Sequence, residues 1–242
     1  FSLWVPELAR FRVNTFRQRG SMASVIRVVS FGIPDWQEKG IPEEVMKIAA
    51  MTRGLVLVTG PAGGGKSTTL ACIVDAINRQ RNAHIITIED PIEFLHRNQK
   101  SIVSQRELAM DTSSYVTALR SSLRQAPDVI LLGEMRDLDT IQTAMTAAET
   151  GHLVISTLHT VGAVNTIDRI IDVFPAGQQQ QIRVQLAQVL KTVVTQQLLP
   201  TVNGGLAPAF EIMHLNNAVR SMVRESRIHQ IDSVIQTSAA EG

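Results

Sequence analysis

Cysteine is almost missing from this sequence. Cys72 is the only one, so no internal disulfide can form, and the chain reads as one from a reducing compartment. It falls in an amphipathic segment, the usual setting of a small core residue. Aromatics are scarce as well: one tyrosine and two tryptophans argue against a track of stacked bases for single-stranded nucleic acid. Neither sign of charge is in excess. A formal net charge of +1 gives no whole-chain argument for a nucleic-acid partner, although it leaves a local basic groove open. No apolar run approaches the ~20 residues that span a bilayer and no signal-peptide pattern is visible, so the expected location is cytoplasmic. His84, His96, His214 and His229 lack partners at metal-ligand spacing and read as structural. No triad of nucleophile, base and orienting group is apparent.

What is present is apolar sequence enough for a core. Of 242 residues 44% are hydrophobic, which excludes disorder and suits one full domain plus part of another. The chain starts at Phe1 and ends at Gly242 without a clear final cap, and we expect a piece of a longer protein. Residues 1–34 alternate loosely, as in Phe11-Arg12-Val13-Asn14-Thr15-Phe16 and Val25-Ile26-Arg27-Val28-Val29. That period of two predicts two or three strands of a half-buried sheet. Gly32, Pro34, Gly40 and Pro42 then punctuate residues 35–52, a linker with a short helix from about Pro42 to Met51.

From 53 to 203 the pattern becomes strand, turn, helix, repeated. Continuous apolar runs at 55–58, 85–88, 129–132 and 153–156 suit fully buried strands. Leu70, Ile73, Val74 and Ile77 fall on one helical face, and Val116, Leu119 and Leu123 on another. Further helices are expected around 140–149 and 178–190, with a late strand at 192–199. The fold class is therefore α/β, with a mostly parallel sheet covered by helices on both faces. Residues 204–242 predict a short strand at 210–213 followed by helices.

The first buried run leads into Gly60-Pro61-Ala62-Gly63-Gly64-Gly65-Lys66-Ser67, then Thr68 and a helix. This is the G-x-x-x-x-G-K-[ST] pattern in the strand-to-helix context that it requires. Glycines let the backbone wrap so that successive N–H groups aim at phosphates, helped by the positive end of the helix. Lys66 is expected to reach the β- and γ-phosphates of ATP and the Ser67 hydroxyl to ligate Mg²⁺.

Ligands of an open parallel sheet bind beyond the carboxyl ends of its strands. Three other runs end in polar clusters there: Glu89-Asp90-Pro91-Ile92-Glu93, Gly133-Glu134-Met135-Arg136-Asp137 and Thr157-Leu158-His159-Thr160. Glu134 is the expected orienter of an attacking water. Gly133 stands where a Walker B aspartate is usual, so a more distant acid, Glu89 or Glu93, is expected to help with the metal. His159 suits a sensor of the γ-phosphate. For His152, beside Gly151, a structural hydrogen bond and a functional role remain equally open.

These motifs, in this order, resemble the secretion-type ATPases, and within them the type IV pilus retraction (twitching motility, PilT-type) ATPases. The matching stretches are 54–70, 85–96, 128–137 and 150–160, and the resemblance continues over 10–27 and 196–225. The resemblance implies a RecA-like P-loop core, the end of a PAS-like N-terminal domain before it, and a helical C-terminal segment. It makes glycine followed by glutamate a family trait at 133–134. By the same resemblance Glu93 is the aspartate-box acid, His152 and His159 are the histidine-box pair, and Arg10, Arg12 and Arg27 are arginines that reach a nucleotide. It also implies a homo-hexamer that pulls pilin subunits at an inner-membrane platform protein, bound peripherally to the membrane and not to nucleic acid. Ala62 and Gly64 depart from the family's usual threonine and serine but leave the backbone cradle intact, and Val161 replaces the asparagine that often follows the histidine box. A non-catalytic nucleotide-binding accessory subunit is the alternative.

Overall fold

The computed structural model describes residues 2–5, 8–29, 32–202 and 204–237. Three antiparallel strands come first, β1 (Ser2–Val5), β2 (Ala9–Gln18) and β3 (Ser21–Val29), in the order β1-β2-β3. Arg12 lies directly opposite Arg27 in this register. The expected short helix is α1 (Glu43–Met46), tightened into a 3-10 turn over Lys47–Ala50.

A seven-stranded sheet follows. Its strands are β4 (Gly54–Thr59), β5 (His84–Glu89), β6 (Ile102–Glu107), β7 (Val129–Leu132), β8 (Leu153–Leu158), β9 (Leu190–Pro200) and β10 (Leu206–His214). Their order is β10-β9-β4-β8-β7-β5-β6, with all pairs parallel except β9–β10. The phosphate-loop strand β4 thus sits near the middle, and β8, β7 and β5 are its successive neighbours on one side.

Because side chains alternate across a strand, the continuous apolar runs feed two cores at once. Leu55, Leu57, Ile86, Ile88, Ile130 and Leu132 face one core, and Val56, Val58, Ile85, Val129 and Leu131 face the other. The second core is closed by α1 and by α2 (Lys66–Gln80), through Leu70, Ile73, Val74 and Ile77. The first is closed by α3 (Tyr115–Ser122), α4 (Leu138–Glu149), α5 (Ala163–Asp172), α6 (Ala176–Val189), α7 (Asn217–Arg224) and α8 (Ile231–Thr237).

Two elements exceed the sequence expectation. The edge strand β6 carries a polar run, Ser104-Gln105-Arg106-Glu107, and is held by its ladder to β5 rather than by an apolar face. The helix α5 buries Ala163, Thr166, Ile167, Ile170 and Ile171, a regular one-sided stripe. The strand expected at 210–213 is longer, nine residues, and pairs along β9. Among the described residues no helix is long and apolar enough to cross a membrane.

Candidate functional site

The loop between β4 and α2 wraps over the sheet, and its shape depends on β9 beneath it. At Gly60, with φ of +136°, a Cβ would stand 2.0 Å from the carbonyl oxygen of Gln196, so only glycine fits. Gln196 is buried, and its Oε1 accepts a hydrogen bond from the Thr69 hydroxyl at 2.7 Å. Thr59 and Thr195 hydroxyls bridge the same two strands at 3.0 Å. Gln196 therefore forms the floor of the loop, a role the sequence reading does not assign.

Above that floor opens a cleft of about 640 Å³, lined by residues 62–68 of the loop and by the carboxyl ends of β5, β7 and β8. Gly60 and Pro61 lie under it and turn their carbonyls to Lys66, whose Nζ donates to both at 2.8 Å. Lys66 is only 8% exposed. Burial pushes its pKa down, and the nearby carboxylates of Glu134 and Glu93 oppose that shift. The two acids therefore face the ammonium.

Glu134 leaves the end of β7 with its carboxylate largely buried. One oxygen pairs with Arg136, and the other lies 3.5 Å from Nε2 of the more exposed His159. The backbone is fixed by Gly133 N–H donating to Ile88 at 2.8 Å and by the Thr157 hydroxyl donating to Gly133. Asp137, the last residue of that polar cluster, points elsewhere: its Oδ1 accepts from Thr140 N–H at 2.8 Å and caps α4.

Glu89 and Glu93 differ in their surroundings. Glu89 Oε1 already accepts from the Thr87 hydroxyl at 2.6 Å and the Gln105 amide at 3.2 Å, and burial holds its pKa above the usual carboxylate range. Glu93 is exposed to the cleft. Arg12 and Arg27 reach the same cleft from the small sheet, beside Glu93 and Phe94. Two like charges directly opposite on a strand pair repel, so this placement favours an anion between them. Arg10 pairs with Val29 in the ladder; its side chain lies outside the described residues.

His152 is not brought to the cleft. It precedes β8 at the amino end of that strand, away from the cleft, where Nδ1 lies 2.9 Å from the Ala147 carbonyl and 3.2 Å from the Thr150 hydroxyl. His84 and His214 are tied down as the sequence reading expects, His214 by Thr192 and Glu44. His96, given a structural role from sequence, does line the cleft, with a buried and unpartnered Nδ1. Tyr115 is a lining group that sequence reasoning missed, because it comes to the cleft through space; Arg136, named from sequence only as part of the strand-end cluster, gains its role from its pairing with Glu134.

A family model described as type II/IV secretion system protein matches residues 2–234. The chain is 52% identical over 243 residues to a twitching motility protein of Neisseria gonorrhoeae, covering all of this chain and 65% of that relative. It is 49% identical over 242 residues to the type IV pilus retractation ATPase PilT of Pseudomonas aeruginosa, covering 70% of it. A crystal structure of the pilus retraction motor PilT with bound ADP superposes with a TM-score of 0.94 at 49% identity, over 98% of this chain and 69% of that one. The chain thus spans about two thirds of the length of the relatives it matches. With the family model spanning residues 2–234 and relatives about half identical along the whole of it, the chain belongs to the type II/IV secretion system protein family.

Proposed function

We propose that this chain is the ATP-hydrolysing part of a ring-shaped motor that powers type IV pilus retraction. The observation that carries the reading is the convergence of Lys66 and Glu134 on one cleft, set by the carboxyl ends of β4 and β7, parallel strands of one sheet with β8 between them. The matched relatives, which include a structure described with bound ADP, support the same choice of nucleotide.

Each residue has a part in this reading. Residues 60–68 wrap the phosphates with backbone N–H groups, and Lys66 gives up its loop carbonyls for the β- and γ-phosphate oxygens. Glu134 orients the attacking water for in-line displacement, while Arg136 and His159 hold its carboxylate. Arg12 and Arg27, with Arg10 beside them in the ladder, offset the charge of the transferring phosphoryl group. His152 acts at most by fixing the start of β8.

The donor set suits Mg²⁺ held through the nucleotide. Ser67 offers a hydroxyl and Glu93 a free carboxylate, and among the described residues no group of three or more His, Cys, Asp or Glu builds a protein-only cage. Glu89, with its oxygen already engaged, is the less suited of the two acids. The metal, when bound, supplies charge neutralisation at the phosphate oxygens.

The reading extends to the whole assembly: a homo-hexamer in the cytoplasm, at the inner-membrane platform of a pilus. It also divides the chain into the closing strands of a PAS-like domain (1–34), a linker (35–52), the RecA-like core (53–203) and a C-terminal segment (204–242). In support, β1–β3 pair only with one another while β4–β10 share one sheet. The test is phosphate release from MgATP. Glu134→Gln is expected to lower it by about 10² or more, the range of a lost general base, with ATP still bound. An unchanged rate in Glu134→Gln would remove the glutamate from its role. Bound nucleotide without turnover in the unsubstituted protein would favour the accessory-subunit reading.

A further inference from the structure

The chain has one tyrosine, and it stands where an acid is missing. The end of β7 carries Gly133 in place of a strand-end carboxylate. A Cβ built on Gly133 would lie 2.8 Å from the Tyr115 hydroxyl, with the Ile88 carbonyl next at 3.4 Å. The phenol therefore occupies the space that an aspartate side chain would need. It arrives from the first turn of α3, whose start is fixed by Ser114 accepting from Thr117 N–H at 3.1 Å.

The surroundings of the hydroxyl are acidic. Burial, then the charges of Glu134 and Asp90, raise the Tyr115 pKa, so the group stays neutral and protonated at any physiological pH. A phenol has one hydrogen to donate and an oxygen that accepts. In that acidic field the hydrogen turns towards the carboxylates. The oxygen is left as an acceptor on the β7 side of a cleft that Tyr115 lines together with Lys66 and Ser67.

On the nucleotide-hydrolase reading above, we propose that Tyr115 replaces the missing strand-end carboxylate, its oxygen accepting a hydrogen bond from a water on the nucleotide's divalent cation. It is a positioning residue rather than a catalytic one. A neutral acceptor holds such a water less tightly than a carboxylate does, so the site relies on the nucleotide for most of its metal affinity. If the hydroxyl only filled the gap over Gly133, the metal would leave it untouched.

The single tyrosine makes the test direct. In the full chain carrying meta-fluorotyrosine there is one fluorine resonance, and the phosphorus resonances of ADP report binding in the same tube. ADP with a chelator is added first, then Mg²⁺. The expected result is a fluorine shift on adding the metal, beyond any caused by ADP alone. In parallel, Tyr115→Phe should raise the Mg²⁺ concentration for half-maximal phosphate release by roughly 2- to 10-fold, the worth of one neutral hydrogen bond. The KM for ATP at saturating metal should stay as it was. A fluorine signal that ignores the metal while phosphorus shows MgADP bound would overturn the proposal, as would an unchanged metal requirement in Tyr115→Phe. If phosphorus shows no ADP bound with or without metal, the nucleotide reading itself fails and this proposal falls with it.

Discussion

His96 lines the cleft with a ring nitrogen that is buried and has no hydrogen-bond partner, and burial holds its pKa down at about 4 against an ordinary 6.5. A base whose folded pKa is depressed takes up its proton more readily when unfolded. Folding is then progressively disfavoured as pH falls from 6.5 towards 4. The full shift corresponds to roughly 3 kcal/mol at most. We expect the urea midpoint to drop between about pH 7.5 and about pH 4.5, and His96→Gln, which cannot take up a proton, to flatten that drop. An identical acid limb in both proteins would assign the loss to other groups. Residues such as His96 mark the limit of what a sequence discloses. Lys66, Ser67 and Glu134 are legible because each belongs to a short motif next to an apolar run. Tyr115 and Gln196 have no local signature, and Gln196 meets Thr69 across 127 positions of chain.

Among the elements, helix starts decide how rigidly the strand ends are presented. The helix α4 begins on Asp137, three residues after Glu134 and in the same polar cluster. Asp137→Ala is expected to destabilise the fold by about 0.5–2 kcal/mol, the worth of an N-cap, in a urea titration. Nucleotide affinity should hold, because Asp137 serves the helix rather than the cleft. The elements themselves were read well wherever apolar residues run unbroken, as in β4, β7 and β8, since burial on both faces leaves little freedom in composition. β6 escaped because an edge strand needs only a partner's ladder, and its polar residues carry no apolar period. α5 carries its own signal in the stripe of Ala163, Ile167, Ile170 and Ile171.

At the scale of the whole molecule, the cleft draws on the small sheet, the loop, three strand ends and β9, so a ligand in it ties the halves of the chain together. MgADP at about a hundred times its Kd should raise the unfolding free energy by about 2.7 kcal/mol. Lys66→Ala should lose most of that gain, measured against the variant's own ligand-free stability, because the substitution also strips the donor from the Gly60 and Pro61 carbonyls. Thermal unfolding with and without MgADP measures both, and an undiminished gain in Lys66→Ala would place the nucleotide elsewhere. The floor beneath the loop has one more consequence, in the order of synthesis. The glycines at 60–65 leave the ribosome early, but the backbone of Gln196 that shapes them comes from β9, late in the chain. Until β9 docks beside β4, the loop has a sequence but no form. A nascent chain therefore cannot use nucleotide as a template for folding; it acquires the ligand only when the sheet is nearly complete.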